Sequence, residues 1–177
     1  MTPGIRRATA DDAGPLAELA ARTFAETYAA FNDPADMAAH LTARYSEAKQ
    51  AQELADPVAT YIVAEWAGRL IGYAYLVADQ APPGVRLDGP VELVRFYVEG
   101  EWHGRGVAQL LMAECVAEAR RRGGRTLWLG VWQENPRAIA FYRKAGFGVV
   151  GTTAFRLGSQ VQDDHVMALE LTADIAP

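Results

Sequence analysis

The chain has one cysteine, Cys115, among its 177 residues. No disulfide can close within it, and nothing points to a secreted, disulfide-stapled fold. It also lacks any apolar run approaching the roughly 18 uninterrupted residues that a membrane helix needs. Its start, Met1-Thr-Pro-Gly-Ile-Arg-Arg, has no apolar core of the kind a signal peptide carries. A cytoplasmic protein without membrane association is therefore expected. Basic residues are not in excess: Lys and Arg total 17 against 22 Asp and Glu, a formal net charge of −5. That balance disfavours non-specific nucleic-acid binding and is compatible with a cationic substrate. Neither a His-Glu-x-x-His pattern nor paired cysteines occur, so a catalytic metal is not expected. No internal repeat, low-complexity tract or linker divides the chain. Residues 1–177 read as one mixed α/β domain, with 50% hydrophobic and 22% charged residues, ordinary values for a chain able to bury a core.

What the chain does have is a stretch around which the rest is organised: Val91-Glu-Leu-Val-Arg-Phe-Tyr-Val-Glu-Gly-Glu-Trp-His-Gly-Arg-Gly-Val-Ala108. Val91, Leu93, Val94, Phe96 and Val98 suit a buried strand. Gly104 and Gly106 then allow positive φ and close approach of a ligand to the backbone. A helix to about Arg122 follows, aiming its free N–H groups and positive dipole end at the turn, an arrangement that binds phosphate. The spacing fits neither a dinucleotide fingerprint, whose third small residue would fall at Gln109, nor a nucleotide triphosphate loop, which needs Gly-Lys-Ser/Thr.

Around this centre, residues 4–8 suit an edge strand, and Thr9 with Asp12 a helix start. Leu16, Leu19, Ala20 and Phe24 keep helical spacing until Phe31-Asn-Asp-Pro34, after which a second helix runs through Met37, Leu41 and Tyr45 towards Leu54. Residues 60–65 and 70–77 form a hairpin around Ala67-Gly68. Residues 81–90 are a surface loop. Val107, Leu111 and Cys115 share a helix face, so Cys115 is a core residue rather than a nucleophile. Residues 125–132 are a buried strand. Asn135 caps the next helix with Pro136 at its first position, and Gly146 ends it. Residues 148–157 and 161–171 make a last strand pair.

His103-Gly-Arg-Gly106-Val-Ala108 resembles motif A of the GNAT acetyltransferases, with His103 where the pattern has Gln or Arg. Asn135-Pro-Arg-Ala-Ile-Ala-Phe-Tyr142-Arg-Lys-Ala-Gly-Phe147 resembles their motif B. Residues 23–28, 31–32, 72–73, 127–132 and 164–167 extend the likeness over nearly the whole chain and look like the branch that includes polyamine N-acetyltransferases. The resemblance implies the GNAT fold, a mostly antiparallel twisted sheet flanked by helices, and an N-acetyltransferase that moves acetyl from acetyl-CoA to a primary amine. A small amine or polyamine is the expected acceptor. The alternatives are a protein or peptide N-acetyltransferase and a non-catalytic acyl-CoA-binding regulator. A homodimer is left open.

Carried onto this sequence, the resemblance implies cofactor binding by the backbone around His103, Gly104, Arg105, Gly106, Val107 and Ala108. It gives an oxyanion donor at the Phe96 N–H, pantetheine pairing at Val98 and approach of Asn135 to the pantetheine. Asn135 and Tyr142 are seven apart, two helical turns, and so share a face. Tyr142 becomes the general acid for the departing thiolate, since a phenol stays protonated at neutral pH yet can donate. Tyr28, Phe31 and Asn32 line the acceptor side; Glu26 and Asp33 there either attract a cation or are solvated. An amine of pKa near ~10 arrives protonated, and Glu92 sits at the register of a basic glutamate in the histone-acetylating branch. On a regular strand Glu92 and Phe96 share a face about 13 Å apart, so a water relay is needed. An ordered water without a dedicated base is the alternative, and a salt bridge is the structural reading of Glu92.

Overall fold

The computed structural model describes residues 2–171. Seven strands form one sheet in the order β1-β2-β3-β4-β5-β7-β6. They are β1 (Gly4–Arg7), β2 (Ala59–Trp66), β3 (Arg69–Ala78), β4 (Pro90–Val98), β5 (Thr126–Trp132), β6 (Gly148–Leu157) and β7 (Gln160–Glu170). Every neighbouring pair is antiparallel except β4 and β5, which run parallel. The helices are α1 (Ala13–Tyr28), α2 (Pro34–Tyr45), α3 (Glu47–Leu54), α4 (Val107–Arg121) and α5 (Pro136–Lys144).

The two sheet faces carry separate cores. On one, Leu111, Met112 and Cys115 of α4 and Ile139 and Tyr142 of α5 pack on Ala74, Leu76, Val91, Leu93, Leu127 and Leu129. On the other, Leu16, Leu19 and Phe24 of α1 and Met37 and Tyr45 of α2 cover Tyr61, Val63, Tyr73, Tyr75 and Val77. Strand residues alternate between these cores with the period of two that a sheet imposes. The burial of Leu16, Leu19, Ala20, Phe24 and Cys115 follows the expected helical faces.

Two expectations are corrected. The helix foreseen from Pro34 to Leu54 is two helices: Ser46 is extended, and its hydroxyl caps α3 by accepting from the Lys49 N–H at 3.3 Å, a competition that serine wins at helix starts. Val94 is not buried but 38% exposed. Leu93 pairs with Leu76 and Arg95 with Tyr75, leaving Val94 as the extra residue of a β-bulge. A bulge reverses the alternation beyond it.

Among the described residues no helix is long and apolar enough to cross a membrane. Two buried charges tie elements together through ion pairs. Glu118 of α4, with no side-chain exposure, accepts from Arg7, Thr60, Arg121 and Arg122 at 2.5–3.1 Å, tying α4 to β1 and β2. Arg95 donates two bonds to Glu53 at 2.7 and 3.0 Å, joining β4 to α3.

Candidate active site

β4 and β5 pair only at Pro90/Thr126, Val91/Leu127 and Glu92/Trp128. Both strands continue, so beyond Glu92 the edge of β4 that faces β5 has no strand partner among the described residues. A cleft of about 750 Å³ opens there. Phe96 and Val98 of β4, Trp132 of β5, Tyr28 of α1, the short turn after it at Phe31, and Asn135 and Tyr142 of α5 all line it. His103, Gly104 and Ala108 close one end.

That end is the glycine turn. Gly104 and Gly106 have φ of +75° and +83°, values that favour glycine because a Cβ is strained there. A Cβ at either position would meet nothing within 4 Å, so conformation, not crowding, demands glycine. Gly106 caps α4 without a side-chain bond. The first bond around this helix runs from the Leu110 N–H to the Gly106 carbonyl at 3.1 Å, so the N–H groups of residues 107–109 precede the helical ladder and suit an anion. The Val107 side chain is fully buried, leaving only its backbone for a ligand. The Arg105 guanidinium stacks over the Trp102 ring at 5.5 Å and, like Gly106 and Val107, is not in the cleft lining.

His103 braces this turn. Its Nε2 lies 2.8 Å from the Val98 carbonyl and 3.2 Å from an Arg137 nitrogen. A carbonyl only accepts and a guanidinium only donates, so one ring nitrogen cannot serve both. The shorter contact assigns Nε2–H to the Val98 oxygen, and Arg137 lines the cleft beside it.

Asn135 is the helix cap that its position suggested. Its Oδ1 accepts from the Ala138 N–H at 3.2 Å as the α5 cap, which leaves its amide N–H groups to donate. Two turns on, Tyr142 is buried, with Phe96, Phe141 and Phe147 edge-on at 5.5–6.2 Å. Burial pushes its phenol above the ordinary value, with smaller contributions from Tyr28 and Cys115. The ring is thus the packing partner that the sequence allowed, and burial keeps its phenol protonated. Gly146, at φ +99°, ends α5; Gly146 and Phe147 donate to the Arg143 and Tyr142 carbonyls, both bonds of a Schellman cap.

The acceptor side divides. Phe31 is 57% exposed and meets Trp132 edge-on at 5.0 Å; Tyr28 lies 6.1 Å from the same indole. Asn32 does not line the cleft: it is buried, and its amide donates to the Tyr28 carbonyl at 2.8 Å, closing the end of α1. Asp33 is occupied as the α2 cap, accepting from Ala35 and Asp36. Glu26 does line the cleft.

Glu92 requires a correction. It pairs with Val77, on the α1–α3 face, whereas Phe96 pairs with Ala74, on the α4 face. The Val94 bulge lies between them and separates two residues that a regular strand would align. Glu92 lies outside the cleft lining, and burial alone raises its pKa. His40, expected on a helix surface, is half-buried and stacks on Phe24 at 4.7 Å. Sequence reasoning passed over Arg95, Trp132, Gln162 and Asp164. The last three fall within or beside stretches that carried the resemblance, and unpaired buried oxygens at 162 and 164 could not be read without knowing their neighbours.

A helix start suited to an anion, and a phenol held protonated across the same cleft, suit transfer of an acyl group from a phosphorylated thioester carrier. Known families agree. Residues 21–147 match the acetyltransferase (GNAT) family, and the chain belongs to that family as an N-acetyltransferase. It is 39% identical over 160 residues to uncharacterised N-acetyltransferases of Mycobacterium bovis and Mycobacterium tuberculosis, covering 90% of this chain and 98% of theirs. To the N-alpha-acetyltransferase RimI of Mycobacterium tuberculosis it is 34% identical over 101 residues, 56% of this chain and 59% of that one. Its fold is like that of the PaiA N-acetyltransferase of Thermoplasma acidophilum, solved with coenzyme A, at a TM-score of 0.78 and 24% identity over 96% of this chain and 99% of that one. YncA of Salmonella typhimurium, solved with its cofactor acetyl-CoA, superposes with a TM-score of 0.67 at 26% identity, covering 100% of this chain and 98% of that one.

Proposed function

We propose that the protein transfers acetyl from acetyl-CoA to a primary amine of a small molecule, polyamines included, by direct attack. The observation that carries this reading is the continuity of one cleft, from the α4 amides past Tyr142 to the aromatic wall of Tyr28, Phe31 and Trp132. The residues present fit the cosubstrate: free amides at 107–109 meet its pyrophosphate, and the unpaired edge of β4 and the Asn135 amide flank its pantetheine arm. The structures solved with coenzyme A and acetyl-CoA named above support the choice of cosubstrate.

In this scheme the amine nitrogen attacks the thioester carbonyl carbon, and the Phe96 N–H donates to the oxygen as it gains charge. The C–S bond breaks, and Tyr142 gives its proton to the leaving sulfur. The proton lost by the amine passes to a water in the cleft, which takes the place of Glu92 as first acceptor because Glu92 does not line it. The test is release of free coenzyme A thiol from acetyl-CoA with a panel of small amines and a peptide bearing a free N-terminus. Turnover with small amines is expected. Turnover with the peptide alone would move the protein to the N-terminal acetyltransferases, and release with neither would overturn amine acetylation.

A further inference from the structure

Beside the cleft lies a second hollow of about 210 Å³. Tyr28, Val94, Arg95, Tyr97 and Gly130 line both, so the two communicate at the bulge of β4. Two polar side chains that line the hollow but not the cleft each have an unsatisfied oxygen. Gln162 is 9% exposed, and its Oε1 has no hydrogen-bond partner; neither has the buried Oδ1 of Asp164. Unpaired buried acceptors are rare, because they forfeit water without replacement. Both here are acceptors, so what completes them is a donor.

The charges around the hollow favour a cationic donor. Arg95 is neutralised by its two bonds to Glu53. His40 is held towards its neutral form by burial, then by Arg44 and Arg95. Arg44 stands at the exposed rim. Asp164 has a raised pKa, about 6, from burial and then from Asp163, as a carboxylate without a countercharge would. Gly130 keeps the approach open: a Cβ there would stand 3.4 Å from Asp164 Oδ2.

We propose that this hollow binds a second, cationic nitrogen of the acceptor, with Asp164 and Gln162 as its ligands, so that diamines are preferred over monoamines of the same length. This rests on the reading of the cleft as an amine acetyltransferase site, and it adds the substrate class. The aromatic rings of Phe24, Tyr45 and Phe155 supply walls that a methylene chain and a cation both tolerate.

The test compares an α,ω-diamine with the monoamine of equal carbon number, at about pH 8, where a carboxylate is ionised. Wild type should favour the diamine by about tenfold or more in kcat/KM, the scale of one charge-assisted hydrogen bond. Asp164→Asn and Gly130→Ala should each bring that ratio towards one, mainly through KM. Calorimetric titration of the diamine into the protein–coenzyme A complex should show the same dependence on residue 164. A wild-type ratio near one, or an equal loss for both amines in Asp164→Asn, would overturn the proposal, the second by assigning Asp164 to proton transfer or folding. If neither amine is acetylated, but the diamine binds in an Asp164-dependent way, the activity reading fails and the site stands. Absence of Asp164-dependent binding overturns the site itself.

Discussion

At the scale of single residues, the proposed chemistry rests on Tyr142 and the glycine turn. Because burial raises the Tyr142 pKa, its phenol remains a proton donor throughout the neutral and mildly alkaline range. The rise of rate with pH should then reflect deprotonation of the amine and not loss of the acid. Tyr142→Phe keeps the ring and its contacts with Phe96, Phe141 and Phe147 but removes the proton. A fall in kcat of roughly 10²-fold is expected, with coenzyme A affinity little changed; rapid-mixing measurement of the chemical step checks it, and wild-type kcat would exclude the acid role. The turn makes a separate claim. Gly106 is at φ +83° with open space around it, so Gly106→Ala strains the backbone without a clash. Holding an L-residue there costs about 1–2 kcal/mol, which predicts a loss of about tenfold in coenzyme A affinity by calorimetry. His103→Ala removes only the brace to the Val98 carbonyl and should weaken binding a few-fold at most.

At the scale of elements, what the sequence made legible is what local chemistry decides. Asn135-Pro136 and Gly146 mark the two ends of α5 by themselves, since an N-cap, a first-turn proline and a positive-φ residue act within a few residues. Gly104 and Gly106 announce the positive-φ turn before α4 for the same reason. The face of Glu92 was not legible, because the bulge at Val94 is set by how β4 pairs with β3, and no residue in β4 announces it. Glu92→Gln should therefore give a pH–rate profile parallel to wild type with two amines of different pKa. An acid-side loss that shrinks as pH rises would restore Glu92 as the base through a water chain. The Asp164 and Gln162 hollow was hidden in the same way, as it is assembled from α1, α2, β4, β5, β6 and β7. The α5 cap offers a direct test of local control. At Gly146, φ is +99° and a Cβ would press on Leu169 Cδ1 at 3.2 Å. Gly146→Ala should cost about 1–2 kcal/mol by urea unfolding, and a neutral result would show that the turn relaxes without it.

For the whole molecule, the titrating groups pull stability in opposite directions with pH. The Arg6 bonds hold the Asp12 carboxyl down at about 2, against a cost from burial. For Glu118 burial opposes the charge, but hydrogen bonds from Arg122, Arg7, Arg121 and Thr60 outweigh it and lower its pKa. Groups with lowered folded pKa add stability that is present above the unfolded value and lost as pH falls through the folded one. For Asp12 that window runs from 3.8 down to about 2. Asp164 has the other sign. Its folded pKa is about 6 against an ordinary 3.8, so between those values the folded chain holds a proton that the unfolded chain has released. Its contribution is therefore neutral or favourable at the acid end and turns against folding as pH rises through the window, with the full penalty present above it. A carboxylate kept where it weakens the empty protein is consistent with a site completed by a ligand. Asp164→Asn removes the titration while preserving shape, so the variant's melting temperature relative to wild type should rise from about pH 4 to about pH 6 and then level off. At pH values above the window the variant should be the more stable protein and, by the argument for the side hollow, the poorer diamine acetyltransferase. Thermal unfolding of both proteins across that range, without and with the diamine, decides the matter. If Asp164→Asn destabilises the free protein at neutral pH, Asp164 already has a stabilising partner within the fold, and the hollow has no charge left to offer.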